Sequence, residues 1–569
     1  MKYDADVLII GGGPVGLMTA SELSTHGATS IIVEKRSPGD PSEVKCNHVA
    51  SRTMEAFRRF GIADTVRGAG MPYQHPQDVA FRTSVLGREF GRIPIPSTAS
   101  RSQGDGIGPD ANWATPEPPH RINQIYLNPI LERHAESMAG VELRRSTECV
   151  GVAQDDDGIN ATLVDAGDGE VSQVRARYLV GADGGRSLVR KTIGATFHGD
   201  PVLQHVQSTY IDAPGLYQAM SARPAWGYYV FGNERQGHVY SVDGKRKFLI
   251  HTYLSLDEVE AESVDRDAAI RTILGGGKNI DYSIISTQDW TARRLVADKF
   301  REGRMFIAGD SAHVWVPMGG YGMNAGIADG LNLGWLIGAV VDGWADASIL
   351  DAYVAERQPI TDQVSQFAMT HLEKITAADV PGTLDVDGAR GDAAREGFGR
   401  LAYDLNVQQF AASGLNFGYS YGESPIIVDD GNAPSYTMGT YVPSTVPGCR
   451  LPHVWLPDGA SLYDRLGEWY TLICCRGDDG EEAQAWADEL QRQTSLPMDV
   501  LSLSGVALPD SYTSEYVIVR QDQHVAWRGP RLPSDVNAFA ARLGACTCDT
   551  APEPCKGAEI PAEILSSSR

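Results

Sequence analysis

Three clusters of glycine and carboxylate residues in this chain could do chemistry. Gly11, Gly13 and Gly16 stand at the G-x-G-x-x-G spacing with Pro14 and Val15 among them, and Glu34 follows about 20 residues later. Gly11 permits a tight strand-to-helix turn, Gly13 lets backbone approach a pyrophosphate, and Gly16 lets helix and strand pack closely. The pyrophosphate would sit on the free N–H groups and positive dipole end of the helix, and Glu34 would accept hydrogen bonds from ribose hydroxyls. The second cluster is Asp183–Gly184–Gly185. The third is Gly309–Asp310, followed by Pro317 and a turn with glycines at 319, 320 and 322. In a chain with 61 glycines the triplet alone would carry little. Its flanks decide: an apolar strand precedes it, a helical run Pro14 to Thr25 follows, and a second apolar strand, Ser30 to Val33, delivers Glu34. The chain binds a dinucleotide.

Elements must position these groups. Ser51 to Phe60 reads as a helix stopped by Gly61, and Arg121 to Ser137 as an amphipathic helix with Ile125, Leu127, Ile130 and Leu131 on its buried side. Residues 91–120 are rich in Pro, Gly and Ser and read as an excursion or lid. Aromatic and β-branched runs (227–231, 238–242, 247–254) predict an antiparallel sheet, hence a second domain. Apolar strands at 178–180 and 305–308 lead into the second and third clusters.

Composition sets limits. At 569 residues the chain accommodates two to four domains. A net charge of −24 disfavours nucleic acid and anionic membranes as partners. The apolar stretch Gly326 to Val341 is broken by Asp329 and Asn332 and reads as a core helix, not a membrane span. Cysteines 46, 149, 449, 474, 475, 546, 548 and 555 form no regular framework, so reduced thiols, a cytoplasmic location and no metal site are expected.

The three clusters, in this order and at these separations, resemble the FAD-dependent aromatic hydroxylases, the single-component flavoprotein monooxygenases of the phenol and polyketide hydroxylase kind. The resemblance covers about residues 4–400. It implies an α/β fold, with a Rossmann-like FAD domain (1–200 and 291–400) and an inserted antiparallel substrate-binding sheet (201–290). It further implies FAD as cofactor, NADH or NADPH as transient donor, O₂ as co-substrate and a phenolic substrate hydroxylated through a flavin C4a-hydroperoxide. Asp310 would bond a ribityl hydroxyl, with an N-cap role as the other reading. Asp183 would lie where the flavin pyrophosphate and the nicotinamide donor meet. Arg52 and Gln124 would stand beside the flavin; equally, Arg52 could pair with Glu55 and Gln124 could be a surface residue. Backbone N–H groups from Met318 to Gly322, with Gly320, Gly322, Met323 and Asn324 at the helix start, would stabilise the reduced flavin anion. Lys35 joins this cofactor set beside Glu34.

Catalytic expectations fall on His48, Pro317, Tyr228 and Tyr240. Histidine suits a base that activates a phenol, with Asn47 the alternative one residue earlier. His313 reads as structural. Strand alternation puts Tyr228 and Tyr229 on opposite faces, so at most one lines a pocket. After a linker (401–440), residues 441–545 resemble the thioredoxin-like domain appended to these hydroxylases. They lack C-x-x-C, since Cys474 and Cys475 are adjacent, so redox activity does not carry over; the resemblance implies a structural, dimer-forming role, before a Cys-containing tail (546–569). Two other readings stand beside the hydroxylase. A flavin halogenase would need a W-x-W-x-I-P segment, which does not occur; the other reading is a non-catalytic dinucleotide-binding protein or a simple dehydrogenase, and a dehydrogenase would not need the second and third clusters.

Overall fold

The computed structural model describes residues 2–546 apart from 41–42, 46, 221–222, 256–257, 259–263, 276–279 and 477–479. Cys46, Cys548 and Cys555 therefore lie outside the described residues, as does most of the expected tail. The chain divides into two compact units.

The larger unit holds residues 1–334, 357–419 and 434–443. Its first sheet is Rossmann-like. Strands Ser30–Val33 and Val171–Gly181 flank Ala5–Ile10 in parallel, and Val141–Arg144 and Met305–Ile307 extend the sheet outward. Ala5–Ile10 reads as a near-continuous apolar run because it is buried on both faces. Helix Pro14–Thr25 leaves its C-terminal end, with Pro at the first position where a missing N–H costs nothing.

The second sheet has eight strands. Phe197–Asp212, Lys247–Tyr253, Gln236–Ser241 and Gly227–Phe231 form an antiparallel run, and Ser283–Ala297 pairs with the first of them. His313–Val314 closes one edge; Val79–Arg82 and Glu89–Ile93 form the other. The sheet is thus wider than the expected 201–290, and part of it lies ahead of the 91–120 excursion. One face packs Tyr228, Val230, Val239 and Phe248 against Ile270 and Ile273 of helix Arg266–Gly275. The other face gathers Phe81, Trp226 and Tyr229 with Phe398 and Phe410. Phe410 comes from the expected linker. That segment carries buried aromatics, Phe410 and Phe417, and is packed structure instead.

The second unit holds residues 335–356, 420–433 and the chain from 444 onward, so its boundaries also differ from a continuous 441–545. Its four strands run in the order Met498–Ser502, Tyr470–Cys474, Tyr516–Arg520, Val525–Gly529. The first two are parallel, and Tyr516–Arg520 is antiparallel to both of its neighbours. Helices Glu481–Gln493 and Val536–Arg542 complete it. Arg520, fully buried, donates to Glu356 Oε2 at 3.0 Å and to Asp522 Oδ2 at 2.6 Å. Cys474 and Cys475 are buried, and burial pushes the Cys475 thiol up to about 12, so Cys475 offers no thiolate. Among the described residues, no helix is long and apolar enough to cross a membrane.

Candidate active site

The glycines of the first cluster are explained by their neighbours. Gly11 has φ +114°, and a Cβ there would meet the Ala182 carbonyl oxygen at 2.2 Å. A Cβ on Gly16 would meet the Gly11 carbonyl oxygen at 2.0 Å. Gly13 differs: nothing lies within 4 Å of its Cβ position. Open space beside the first turn of a helix, where backbone N–H groups lack partners, is what a pyrophosphate requires. Glu34 closes this end. Its carboxylate accepts from Gly12 N–H at 2.8 Å and from Arg36 Nε at 3.0 Å. Burial pushes the Glu34 carboxyl up, but Arg36 and the Gly12 N–H outweigh burial and hold it below the usual carboxylate range. Lys35 is exposed at the strand end.

The second and third clusters lock together although they are far apart in the chain. Ser311 Oγ donates to Asp183 Oδ1 at 3.0 Å and accepts from Gly184 N–H at 2.9 Å, while Asp183 Oδ2 accepts from Leu188 N–H at 2.6 Å. Asp310 is exposed beside them in the 3-10 turn Gly309–Ser311; Ala308, not Asp310, is the cap. Beneath that turn lies a feature the sequence reading missed. Asp329, fully buried, accepts from His313 Nε2 at 2.6 Å, Arg357 Nε at 2.8 Å and Gly309 N–H at 3.1 Å. His313 is structural, as expected. Helix Gly322–Asp342 meets helix Pro14–Thr25 through Gly326, Gly330 and Gly334, whose Cβ positions fall 2.7 Å from Val15 Cγ2, 2.4 Å from Thr19 Oγ1 and 2.7 Å from Glu22 Cβ. The G-x-x-x-G-x-x-x-G spacing was the available signal: one helix face made of hydrogen lets two backbones approach.

The glycine turn after Pro317 is braced from below. Pro317 is exposed and precedes a 3-10 turn in which Gly319 and Gly320 have φ +72° and +65°. Gly322 opens the helix with nothing within 4 Å of its Cβ position, a second open cradle, with the half-buried Met323 next to it. The Asn324 side chain is spent on structure. Its Oδ1 accepts from Ala50 N–H at 2.8 Å and Thr53 Oγ1 at 2.9 Å; its Nδ2 donates to the carbonyls of Gly320 at 2.8 Å and His48 at 3.1 Å. Only its backbone N–H remains for a ligand. Arg52 pairs with Glu55 at 3.3 Å and lines a small cleft with Tyr321 and Asn324; Gln124 is half-buried at the first position of helix Gln124–Ser137.

His48 packs on this turn, its Cβ 3.0 Å from the Gly320 Cβ position. Its expected role as base needs correction. Arg121 Nη1 donates to His48 Nδ1, and because arginine only donates, the neutral ring carries its proton on Nε2. Burial first, then Arg121, His120 and Arg101, pushes the His48 pKa well below 6.5. Taking up a proton would place a cation beside Arg121 and Arg101. Asn47 is no better placed, since its Oδ1 accepts from Asn123 Nδ2 at 2.5 Å.

Beyond His48 the aromatic face of the second sheet begins. The Arg121 guanidinium stands 4.6 Å over the Trp226 ring and 5.6 Å over Phe410. Trp226 lies 4.9 Å from Tyr240, and Tyr240 Oη donates to Tyr229 Oη at 3.3 Å. Tyr240 is therefore on the site's face with Tyr229. Tyr228 is not: it points into the opposite core, with its hydroxyl accepting from Ala225 N–H at 2.8 Å. Alternation allowed either tyrosine, and the packing partner, helix Arg266–Gly275, decides against Tyr228. Gln409 ties the two halves, accepting from Gly319 N–H at 3.4 Å.

Residues 4–368 match the family model described as FAD binding domain. The chain belongs to this family. The open cradles at Gly13 and Gly322, flanked by Glu34 and the exposed Asp310, suit FAD, which is the cofactor of this enzyme. Among similar proteins, phenol 2-monooxygenase of Pseudomonas sp. (strain EST1001) is 29% identical, the match covering 95% of this chain and 93% of the relative. The solved structure of the rebeccamycin biosynthetic enzyme RebC with bound 7-carboxy-K252c superposes with a TM-score of 0.86 at 30% identity, covering 96% of this chain and 100% of that one. A ternary complex of aklavinone-11 hydroxylase with FAD and aklavinone gives a TM-score of 0.79 at 27% identity, over 96% and 99%.

Proposed function

We propose that this flavoprotein hydroxylates a phenolic aromatic compound, consuming NAD(P)H and O₂ and releasing NAD(P)⁺ and water. The observation that carries this reading is the continuous path from the glycine turn Met318–Gly320 through His48 and Arg121 to the rings of Trp226, Tyr240 and Tyr229. An aromatic wall thus stands beside the turn that would hold the redox ring.

When bound, FAD supplies the redox chemistry: it accepts a hydride from NAD(P)H and activates O₂ for transfer of one oxygen atom to the ring. The chain's residues do the rest. Backbone N–H groups in the first turn of Pro14–Thr25 would hold the pyrophosphate, Glu34 the ribose and Asp310 the ribityl chain. Asp183, with its motif, marks the approach of the nicotinamide donor. N–H groups at the start of Gly322–Asp342 would stabilise negative charge that develops on the flavin. Trp226, Tyr229, Tyr240 and Phe410 orient an aromatic substrate and exclude water. The donor binds transiently, because a single G-x-G-x-x-G unit serves the chain.

The strand order and β-α-β-β-β-α sequence of the second unit support a thioredoxin-like domain that acts in homodimer assembly, not in redox exchange, since its cysteines among the described residues are buried. The cysteines among the described residues are free and buried, which suits a cytoplasmic protein. Stopped-flow reduction of the holoenzyme by NAD(P)H, with and without a panel of phenols, tests the activity. Reduction should accelerate with a bound phenol and yield a hydroxylated product with matching O₂ uptake. Oxidation of NAD(P)H that yields only H₂O₂ with every phenol would sink the reading.

A further inference from the structure

Arg121 is only 2% exposed, and its Nη2 has no hydrogen-bond partner among the described residues. Its Nη1 is taken by His48, a neutral partner. The one acid whose charge bears most on it, Asp110, is already bound to Arg101 and to Trp113 Nε1 at 2.7 Å. A buried cation without a carboxylate is expensive, and a fold keeps one where something else brings the negative charge. What surrounds the free Nη2 edge is an aromatic shell, with Trp226 and Phe410 under the guanidinium.

We infer that Arg121 determines specificity by holding an acidic oxygen of the aromatic substrate, phenolate or ring carboxylate, so that the enzyme binds its substrate as an anion. This rests on the hydroxylase reading for the site's location, but its chemistry is separable. It also accounts for the lack of a free base at His48: the substrate's proton goes to solvent on binding, and Arg121 stabilises the anion left behind, which is the electron-rich form of a phenol. The charged and titratable groups around Arg121 are His48 and His120, Arg101 and Asp110 from the 91–120 excursion, and Tyr229 and Tyr240 from the sheet. Burial lowers Arg121 only to about 10, so it stays a cation at neutral pH.

The test uses the FAD-loaded protein and four probes: 4-nitrophenol, 4-nitrobenzoate, 4-nitroanisole and methyl 4-nitrobenzoate. Binding is read by calorimetry, and ionisation of bound nitrophenol by its visible difference spectrum. At least one acid should bind about 10-fold or more tighter than its neutral methylated form, and which acid does so tells phenolate from carboxylate. Bound nitrophenol, if it is the preferred acid, should ionise at a pH about 1 to 3 lower than in water. Arg121→Gln should erase the preference with FAD content unchanged, and Arg121→Lys should keep part of it. Equal binding of acids and methylated forms by the wild type, or no binding of either acid, overturns the inference, and both readouts stand even if Arg121→Gln fails to fold. A retained preference in Arg121→Gln overturns it too. Failure to oxidise NAD(P)H with any phenol would instead remove the hydroxylase reading and leave the anion preference standing.

Discussion

Asp329→Asn removes one charge and almost no volume from the node beneath the Gly309–Asp310 turn. The carboxylate serves three donors: His313 Nε2, Arg357 Nε and the Gly309 N–H. An asparagine keeps one acceptor oxygen and turns an N–H₂ toward the remaining donors. It also leaves the buried Arg357 guanidinium without its carboxylate. Breaking a buried pair from one side costs about 3–5 kcal/mol, a large part of a typical stability of roughly 5–15 kcal/mol. The Gly309 N–H loses its anchor next to Asp310, so FAD affinity should fall by about tenfold, the equivalent of ~1.4 kcal/mol. Burial pushes the Asp329 carboxyl up, but His313 and Arg357 outweigh it and hold it below 3.8. A depressed carboxyl contributes stability that is complete above its unfolded pKa and is lost as pH falls through the folded one. The gap between wild type and variant should therefore be full at neutral pH and shrink only in acid, below about pH 4. Thermal unfolding at several pH values, with flavin content after gel filtration, measures all three effects. A variant with unchanged unfolding temperature and full flavin at pH 7 would refute the assignment of Asp329 as the turn's anchor.

Gly13→Val should abolish FAD binding yet leave the apoprotein's unfolding temperature nearly unchanged, because the new side chain enters open space; yellow protein of normal affinity would contradict the cradle. Asp310→Ala should cut FAD occupancy at micromolar protein with little loss of apoprotein stability, since the residue is exposed; equilibrium dialysis of flavin decides. Tyr228→Phe should cost about 1–3 kcal/mol by leaving the Ala225 N–H unpartnered and spare product formation, whereas Tyr240→Phe should raise the fraction of NADPH or NADH lost as H₂O₂; a peroxide assay on both variants that gives the reverse pattern would place the substrate on the other face.

The nucleotide half was legible because its signals are local. Strand, glycine turn, helix and Glu34 lie within one short stretch, and Gly16 answers to Gly11 inside it, although the contact that demands Gly11 comes from Ala182, far along the chain. What stayed hidden depends on partners distant in the chain. Val79–Arg82 is four residues with a charge, and Glu89–Ile93 contains a glycine and two charged residues; Gly227–Phe231 pairs with Val79–Arg82, which in turn pairs with Glu89–Ile93, and that makes both strands. Tyr228 and Tyr229 are equivalent in pattern until helix Arg266–Gly275 covers one face. Arg121 looks like the polar lead-in to an amphipathic helix, and only its burial among Trp226, Phe410 and His48 reveals an unanswered charge. His48 drew attention by type, and its partner reversed the role.

The bridge from Asp183 through Ser311, and the hold of Asp329 on Gly309, have a consequence for how the protein is made. The first glycine turn leaves the ribosome well ahead of its companions at Ser311 and Asp329, which stand far along the chain. At about 5–20 residues per second, the interval between Asp183 and Asp329 is on the order of ten seconds. During that time the nascent chain carries half a nucleotide site with nothing to close it. FAD capture is thus a late event in biosynthesis, and flavin bound by chains arrested before Asp329 emerges would contradict it. Cells short of FAD would accumulate full-length apoprotein, not truncated holoprotein.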